Sequence, residues 1–144
     1  MGTTRQRLAV RVVALVLGVA AVFAVAPVRP ASAADGDWAC SVPAGYTYDR
    51  MDRYLQCGSG YIYHLRVPAD GLWACTVSEG FTHDRADLAF QCNLRDSRAT
   101  IYHIRRPVSG LWACSVPPGF SYDATYMSYD CRPFSYQTMY RLRR

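Results

Sequence analysis

Apolar residues follow two regimes along the chain. From Val12 to Val25 they run almost without a break, whereas from Trp38 onward they come in short stretches that alternate with polar positions. Alternation at period two puts every second side chain on one face of a strand. The elements predicted after Trp38 are therefore strands, and they recur. Trp38-Ala39-Cys40 returns as Trp73-Ala74-Cys75 and as Trp112-Ala113-Cys114, and each of these cysteines is followed by another 17 positions later, at Cys57, Cys92 and Cys131. Internal repetition of this kind sets the architecture, because one short unit buries little by itself.

Within each unit the pattern reads as strand, turn, strand, loop, strand. The Trp-Ala-Cys stretch leads into Pro43-Ala44-Gly45, Ser78-Glu79-Gly80 or Pro117-Pro118-Gly119. Proline presets φ and glycine accepts a positive φ, so a turn is expected there. An aromatic-x-aromatic-Asp segment follows, ending at Asp49, Asp84 and Asp123. Beyond it, Arg50–Gln56 fits either a helical turn capped by Asp49 or a strand. The Tyr-rich copy over Thr125–Asp130 favours strand for all three. A last strand carries Tyr63-His64-Leu65-Arg66, Tyr102-His103-Ile104-Arg105 and Tyr140-Arg141-Leu142-Arg143. Its alternation points Tyr63 and Leu65, Tyr102 and Ile104, and Tyr140 and Leu142 inward, together with the three Trp. The prediction is an all-β protein of three tandem repeats, about three short strands each, over 35–69, 70–109 and 110–144.

The first 33 residues read as a secretory signal peptide. Arg5, Arg7 and Arg11 precede the apolar run, and Ala31-Ser32-Ala33 supplies the small residues of a cleavage site. The run is shorter than the roughly 20 residues a spanning helix needs, so no membrane span is expected once the leader, itself an expected helix, is removed. Export also changes the charge. Four of the 16 basic residues and no acid lie in the leader, leaving 12 Arg against 11 acids and a net charge of +1 instead of +5. That near balance removes the reason to expect nucleic acid as a partner.

All six cysteines lie in the 111 residues after Ala33, which form one domain, and an even count in an oxidising compartment favours disulfides over metal or redox chemistry. Two schemes respect the repeat. One keeps each bond inside its unit, as Cys40–Cys57, Cys75–Cys92 and Cys114–Cys131. The other links Cys57–Cys75, Cys92–Cys114 and Cys40–Cys131. The first is favoured because it needs no closure between distant ends, and a loop of that length stabilises by about 3 kcal/mol.

Chemistry is harder to place. His64, Arg66, His103, Arg105, Arg141 and Arg143 fall on the outer side of the last strands. They read either as a stripe able to hold an anionic polymer or as solvated positions with Asp partners. Asp49, Asp84 and Asp123 read as turn carboxylates before catalytic or calcium-binding ones, since no loop has dense oxygen-ligand spacing. His83 stands where the other units have Tyr48 and Tyr122, which suggests packing. No catalytic residue, metal site or cofactor is expected: there is no Gly-x-Ser-x-Gly elbow, no His-Glu-x-x-His and no phosphate loop, and the cysteines are committed. Tyr54, Tyr61, Tyr126, Tyr129 and Tyr136 exceed what a small core hides; they read either as a stacking platform for sugar rings or a protein partner or as cover for disulfides and strand edges.

The pattern Cys-x-Val-Pro-x-Gly-aromatic, then Cys, then Tyr-x-Ile/Leu-Arg-x-Pro resembles a loosely defined group of short repeats in secreted bacterial proteins, with no settled activity. The resemblance spans Trp38 to Arg143. It departs at Ser78-Glu79-Gly80, and the third unit lacks the final Pro. It implies a secreted, modular, non-catalytic protein. A β-trefoil lectin is a more distant comparison, since the Gln-x-Trp signature is absent. The expected function is thus that of an extracellular binding or structural module for an envelope glycan or protein, and the alternative is a small effector acting through the charged loop Asn93–Ala99. N-terminal sequencing of protein from the culture medium should begin at Ala34, and thiol titration without reductant should find no free cysteine.

Overall fold

The computed structural model describes residues 33–93 and 97–144. The leader, apart from Ala33, lies outside the described residues, as do Leu94, Arg95 and Asp96 of the charged loop. Nine strands are found among the described residues: β1 Trp38–Ala39, β2 Thr47–Arg53, β3 Tyr61–Arg66, β4 Trp73–Ala74, β5 Thr82–Ala89, β6 Ala99–Arg105, β7 Trp112–Ala113, β8 Ser121–Ser128 and β9 Gln137–Arg143. They form three antiparallel sheets of three strands, ordered β1-β3-β2, β4-β6-β5 and β7-β9-β8. Each unit is thus one sheet, with its last strand in the centre. The ambiguous stretch after Asp49 is strand as far as Arg53, and its counterpart in the second unit ends in a 3-10 turn over Phe90–Cys92.

Turn chemistry fixes the connections. The Tyr46 N–H donates to Pro43 O at 3.2 Å with Gly45 at φ +83°, and the same bond joins Phe81 to Ser78 and Phe120 to Pro117. A positive φ at the third turn position needs glycine. A second turn precedes each Trp: Ala34-Asp35-Gly36-Asp37, Ala69-Asp70-Gly71-Leu72 and Val108-Ser109-Gly110-Leu111, each closed by a bond from its fourth residue to its first.

The disulfides are Cys40–Cys57, Cys75–Cys92 and Cys114–Cys131, with Cα separations of 5.2, 5.4 and 5.3 Å. Each ties the end of the first short strand to the turn before the central strand. They matter because the aliphatic core is small. Leu65, Ile104 and Leu142 are completely enclosed, yet each unit holds few other large buried side chains. In the second unit the buried disulfide packs with Ile101 against Trp73 and Tyr48; in the third it packs with Met139 against Trp112.

One predicted sidedness is wrong. The three Trp do not share a face with Leu65, Ile104 and Leu142. Trp38 pairs directly opposite His64, Trp73 opposite His103 and Trp112 opposite Arg141, which places each indole on the other face. A two-residue strand has no alternation of its own, so cross-strand register decides its phase. The tyrosines do join the leucine face, where Tyr48 meets Tyr63 edge-on at 5.0 Å and Tyr122 meets Tyr140 at 5.1 Å.

Consecutive units meet at a repeated joint. The Cys75 N–H donates to Tyr48 O at 2.8 Å, and the Cys114 N–H to His83 O at 2.8 Å. Beside these bonds, Thr47 Oγ1 donates to Thr76 O at 3.0 Å and Thr82 Oγ1 to Ser115 O at 3.1 Å. Both threonines have zero exposure, and their hydroxyls are satisfied by the following unit. The sheets remain separate and join end to end, unlike a closed three-fold barrel. Thr82→Val should lower unfolding free energy by about 1–2 kcal/mol, whereas Ser121→Val, at the matching position but exposed and bonded only to Arg143 O of its own sheet, should be nearly neutral in urea denaturation.

Candidate functional site

The recurring Asp does not sit at a turn, as its position after the aromatic pair suggests. It is the extra residue of a β-bulge: register shifts between Tyr48 and Arg50, between His83 and Arg85, and between Tyr122 and Ala124. A bulge frees one residue from the ladder and re-aims its side chain, which admits a carboxylate into a strand that would otherwise disfavour it. Asp49 then reaches two neighbours on one face of β3. Its Oδ1 is 2.6 Å from His64 Nδ1, and its Oδ2 accepts from Arg66 Nη1 at 2.6 Å. The second unit repeats this, with Asp84 2.6 Å from His103 Nδ1 and 2.5 Å from Arg105 Nη1.

A second carboxylate completes each cluster. Asp35 accepts from Arg66 Nε at 3.1 Å and from the Val67 N–H at 2.7 Å; Asp70 accepts from Arg105 Nε at 3.0 Å and from the Arg106 N–H at 2.8 Å. The backbone donor is the larger influence and the guanidinium the next, and together they hold both carboxyls below the ordinary aspartate range. Their Asp partners raise Arg66 and Arg105 further above the ordinary arginine value.

The third unit varies the scheme. Arg141 replaces histidine, donates from Nε to Asp123 at 2.6 Å and lies 5.9 Å from the Trp112 ring centre. The histidines meet their indoles in a tilted geometry, 5.1 Å from Trp38 and from Trp73 between ring centres. The slot thus takes a group that bonds to Asp and contacts an indole, which either His or Arg supplies. Ser109 replaces Asp35 and Asp70; its Oγ accepts from the Arg144 N–H at 3.0 Å but offers Arg143 no charge.

Five of the six residues read as a basic stripe therefore have carboxylate partners, and among the described residues Arg143 alone of the six forms no ion pair. Much of the charge of these groups is thus spent on neighbouring carboxylates. Sequence reasoning missed Asp35 and Asp70. The signal was present in Asp-Gly recurring two positions ahead of Trp38 and Trp73, with Ser109-Gly110 in the third unit.

A His–Asp pair also invites a catalytic comparison. The cleft beside His64 is lined by Trp38, Asp49, Arg50 and Gln91. The exchange of histidine for arginine in the third unit preserves the contacts to Asp and Trp. Among the described residues no group of three or more Cys, His, Asp or Glu is placed to hold a metal ion, and no helix is long and apolar enough to cross a membrane.

The cleft itself has a volume of about 400 Å³ and lies at the first joint, since Gln91 belongs to the second unit and the other lining residues to the first. Trp38 is 42% exposed there. Of the surface tyrosines, Tyr54, Tyr126, Tyr129 and Tyr136 are exposed and Tyr61 is half-buried; Tyr129 and Tyr136 stack on each other at 3.9 Å, away from that cleft's lining. Asn93 Nδ2 donates to Ser97 Oγ at 2.7 Å across the charged loop. Compared with known proteins, the chain matches no family model, no curated protein and no solved structure.

His83 behaves as the packing residue its position suggests. It meets Tyr102 edge-on at 5.0 Å, and its buried Nδ1 has no partner among the described residues. Burial lowers its pKa, with Asp84 opposing weakly. The folded protein thus resists protonation there while the unfolded chain accepts a proton near pH ~6.5. Stability is fully present above that value and is lost as pH falls through it. The melting temperature should decline as pH drops from about 7 to about 5, and His83→Tyr, matching the other units, should flatten that decline. A further loss, below about pH 4, should remain from Asp35, Asp70 and Asp123.

Proposed function

We propose that the protein is a non-catalytic binding module that works outside the cell, with the Trp38 cleft as its contact surface for a hydroxylated polymer such as an envelope glycan. The observation that carries this reading is the meeting, in one cleft, of an exposed indole with two uncommitted polar groups from different units. Arg50 forms no ion pair among the described residues, and Gln91 adds an amide that both donates and accepts. An aromatic floor with a few convergent polar groups suits a sugar ring, whose C–H face packs on the indole while its hydroxyls bond at the rim.

Export and covalent closure support the same reading. Three disulfides suit an oxidising compartment, and the resemblance to secreted repeats points the same way. The internally neutralised His–Asp–Arg clusters favour a neutral hydroxylated ligand over a polyanion.

The test is retention of the exported, oxidised protein on insoluble cell-envelope polysaccharide. Arg50→Ala and Gln91→Ala should each weaken retention about tenfold, the equivalent of about 1.4 kcal/mol, with unchanged melting temperature. Retention should survive high salt, because the contact is not a bulk charge effect. Undiminished binding by both variants would remove the cleft from consideration.

A further inference from the structure

The joint between units is used twice inside the chain, and among the described residues one half of it is left uncovered at each end. On the receiving side it consists of the second strand of a unit: a carbonyl at Tyr48 or His83 and a hydroxyl at Thr47 or Thr82. On the entering side it consists of the Cys75 or Cys114 N–H, with Thr76 or Ser115 next to it. The third unit has the receiving half, Ser121 and Tyr122, and no described unit covers it; the Ser121 hydroxyl instead donates within its own sheet, to Arg143 O at 3.2 Å. The first unit has the entering half, Cys40 and Ser41, and among the described residues no acceptor stands at the Cys40 N–H.

Burial records the same vacancy at both ends. Thr47 and Thr82 have zero exposure, whereas Ser121 is exposed. Ala74 and Ala113 are fully enclosed and Cys75 and Cys114 are buried, whereas Ala39 is half-buried and Cys40 exposed. Large apolar side chains lie bare at each end: Leu55 at the first, Tyr122 and Met127 at the last. End repeats of stacked proteins ordinarily carry a polar outer face that stops further addition. Here the described end faces mix polar side chains with these bare apolar ones. Charge agrees in sign: residues 34–69 carry four acids against three Arg, and residues 110–144 carry four Arg against two acids.

We propose that the occupant of both ends is a second copy of this chain, added head to tail. Ser121 and Tyr122 of one copy receive Cys40 and Ser41 of the next, in the geometry already used within the chain. The contact is heterologous, joining two different patches, so it leaves a free half at each end of the assembly and continues as an open series or closes into a ring. It goes beyond the glycan reading and does not require it, since Arg50 and Gln91 belong to an internal joint.

The test uses protein exported with its leader and purified oxidised from the medium, with mass measured by sedimentation across a wide range of concentration. The wild type should grow beyond the dimer as concentration rises. Ser121→Arg and Ser41→Arg should each be monomeric alone, with wild-type melting temperature. An equimolar mixture of the two should form dimers and stop there, because only one intact head and one intact tail remain. Should either variant unfold, Thr125→Arg and Leu55→Arg, at exposed side chains on the same two ends, make the same comparison. A wild type that stays monomeric throughout, single variants that still dimerise, or a mixture that does not, would each overturn the proposal. Arg50→Ala should leave the mass unchanged, which separates this result from the polysaccharide experiment.

Discussion

Covalent closure of a short loop is the constraint on which each unit depends. One three-stranded sheet, with two of its strands six to eight residues long and the third only two, cannot by itself enclose enough apolar surface to offset the entropy of ordering it. The cystine does two things at once. It shortens the ensemble of unfolded conformations, and in the second and third units it forms the centre of the apolar cluster, in contact with Ile101 or Met139 and flanked by Trp73 or Trp112. A reduced chain loses both contributions together. The first disulfide is different, because Cys40 is exposed while Cys57 is buried, so its contribution there is chiefly the chain constraint.

Polar order is the second level. A carboxylate in mid-strand is ordinarily a defect, yet at Asp49, Asp84 and Asp123 the bulge turns it into a clasp between the second and central strands. Arg66 and Arg105 then extend the clasp to the turn before the Trp, through Asp35 and Asp70. This network thereby fixes three backbone segments of a unit, and it lies on the face opposite Leu65 and Ile104. In the second unit that face also carries the buried disulfide cluster, since Ile101 shares it with His103 and Arg105, so charge-assisted bonds and burial act side by side there. The partial exposure of these groups limits what any single pair contributes; their importance is geometric.

Much of this was legible in the sequence, and the reasons are specific. Cysteine spacing and the Pro-x-Gly turns are local signals, so the unit, its three strands and its internal disulfide followed from residues close in the chain. The inward set Leu65, Ile104 and Leu142 followed from alternation in strands long enough to have a phase. The Trp side did not, because Trp38-Ala39 is too short to carry one. The bulge was invisible for a related reason: an extra residue breaks alternation without leaving a composition signal, and Asp before a polar stretch reads equally well as a turn. Partners of the outer His and Arg residues came from 15 to 35 positions away, beyond any local pattern. The repeat still held a clue, since histidine becomes Arg141 in the same unit where aspartate becomes Ser109, a joint change expected of groups in one network.

The joint has a bearing on how such a chain changes length. Its two halves lie on every unit and use backbone groups with small hydroxyl side chains, so a duplicated segment inherits both the socket and the plug. Nothing new must be invented at the seam. Steps of 35 and 39 residues between the cysteine pairs show that loops of different size fit the same seam, and divergence can proceed in those loops while the count of units rises or falls in whole numbers.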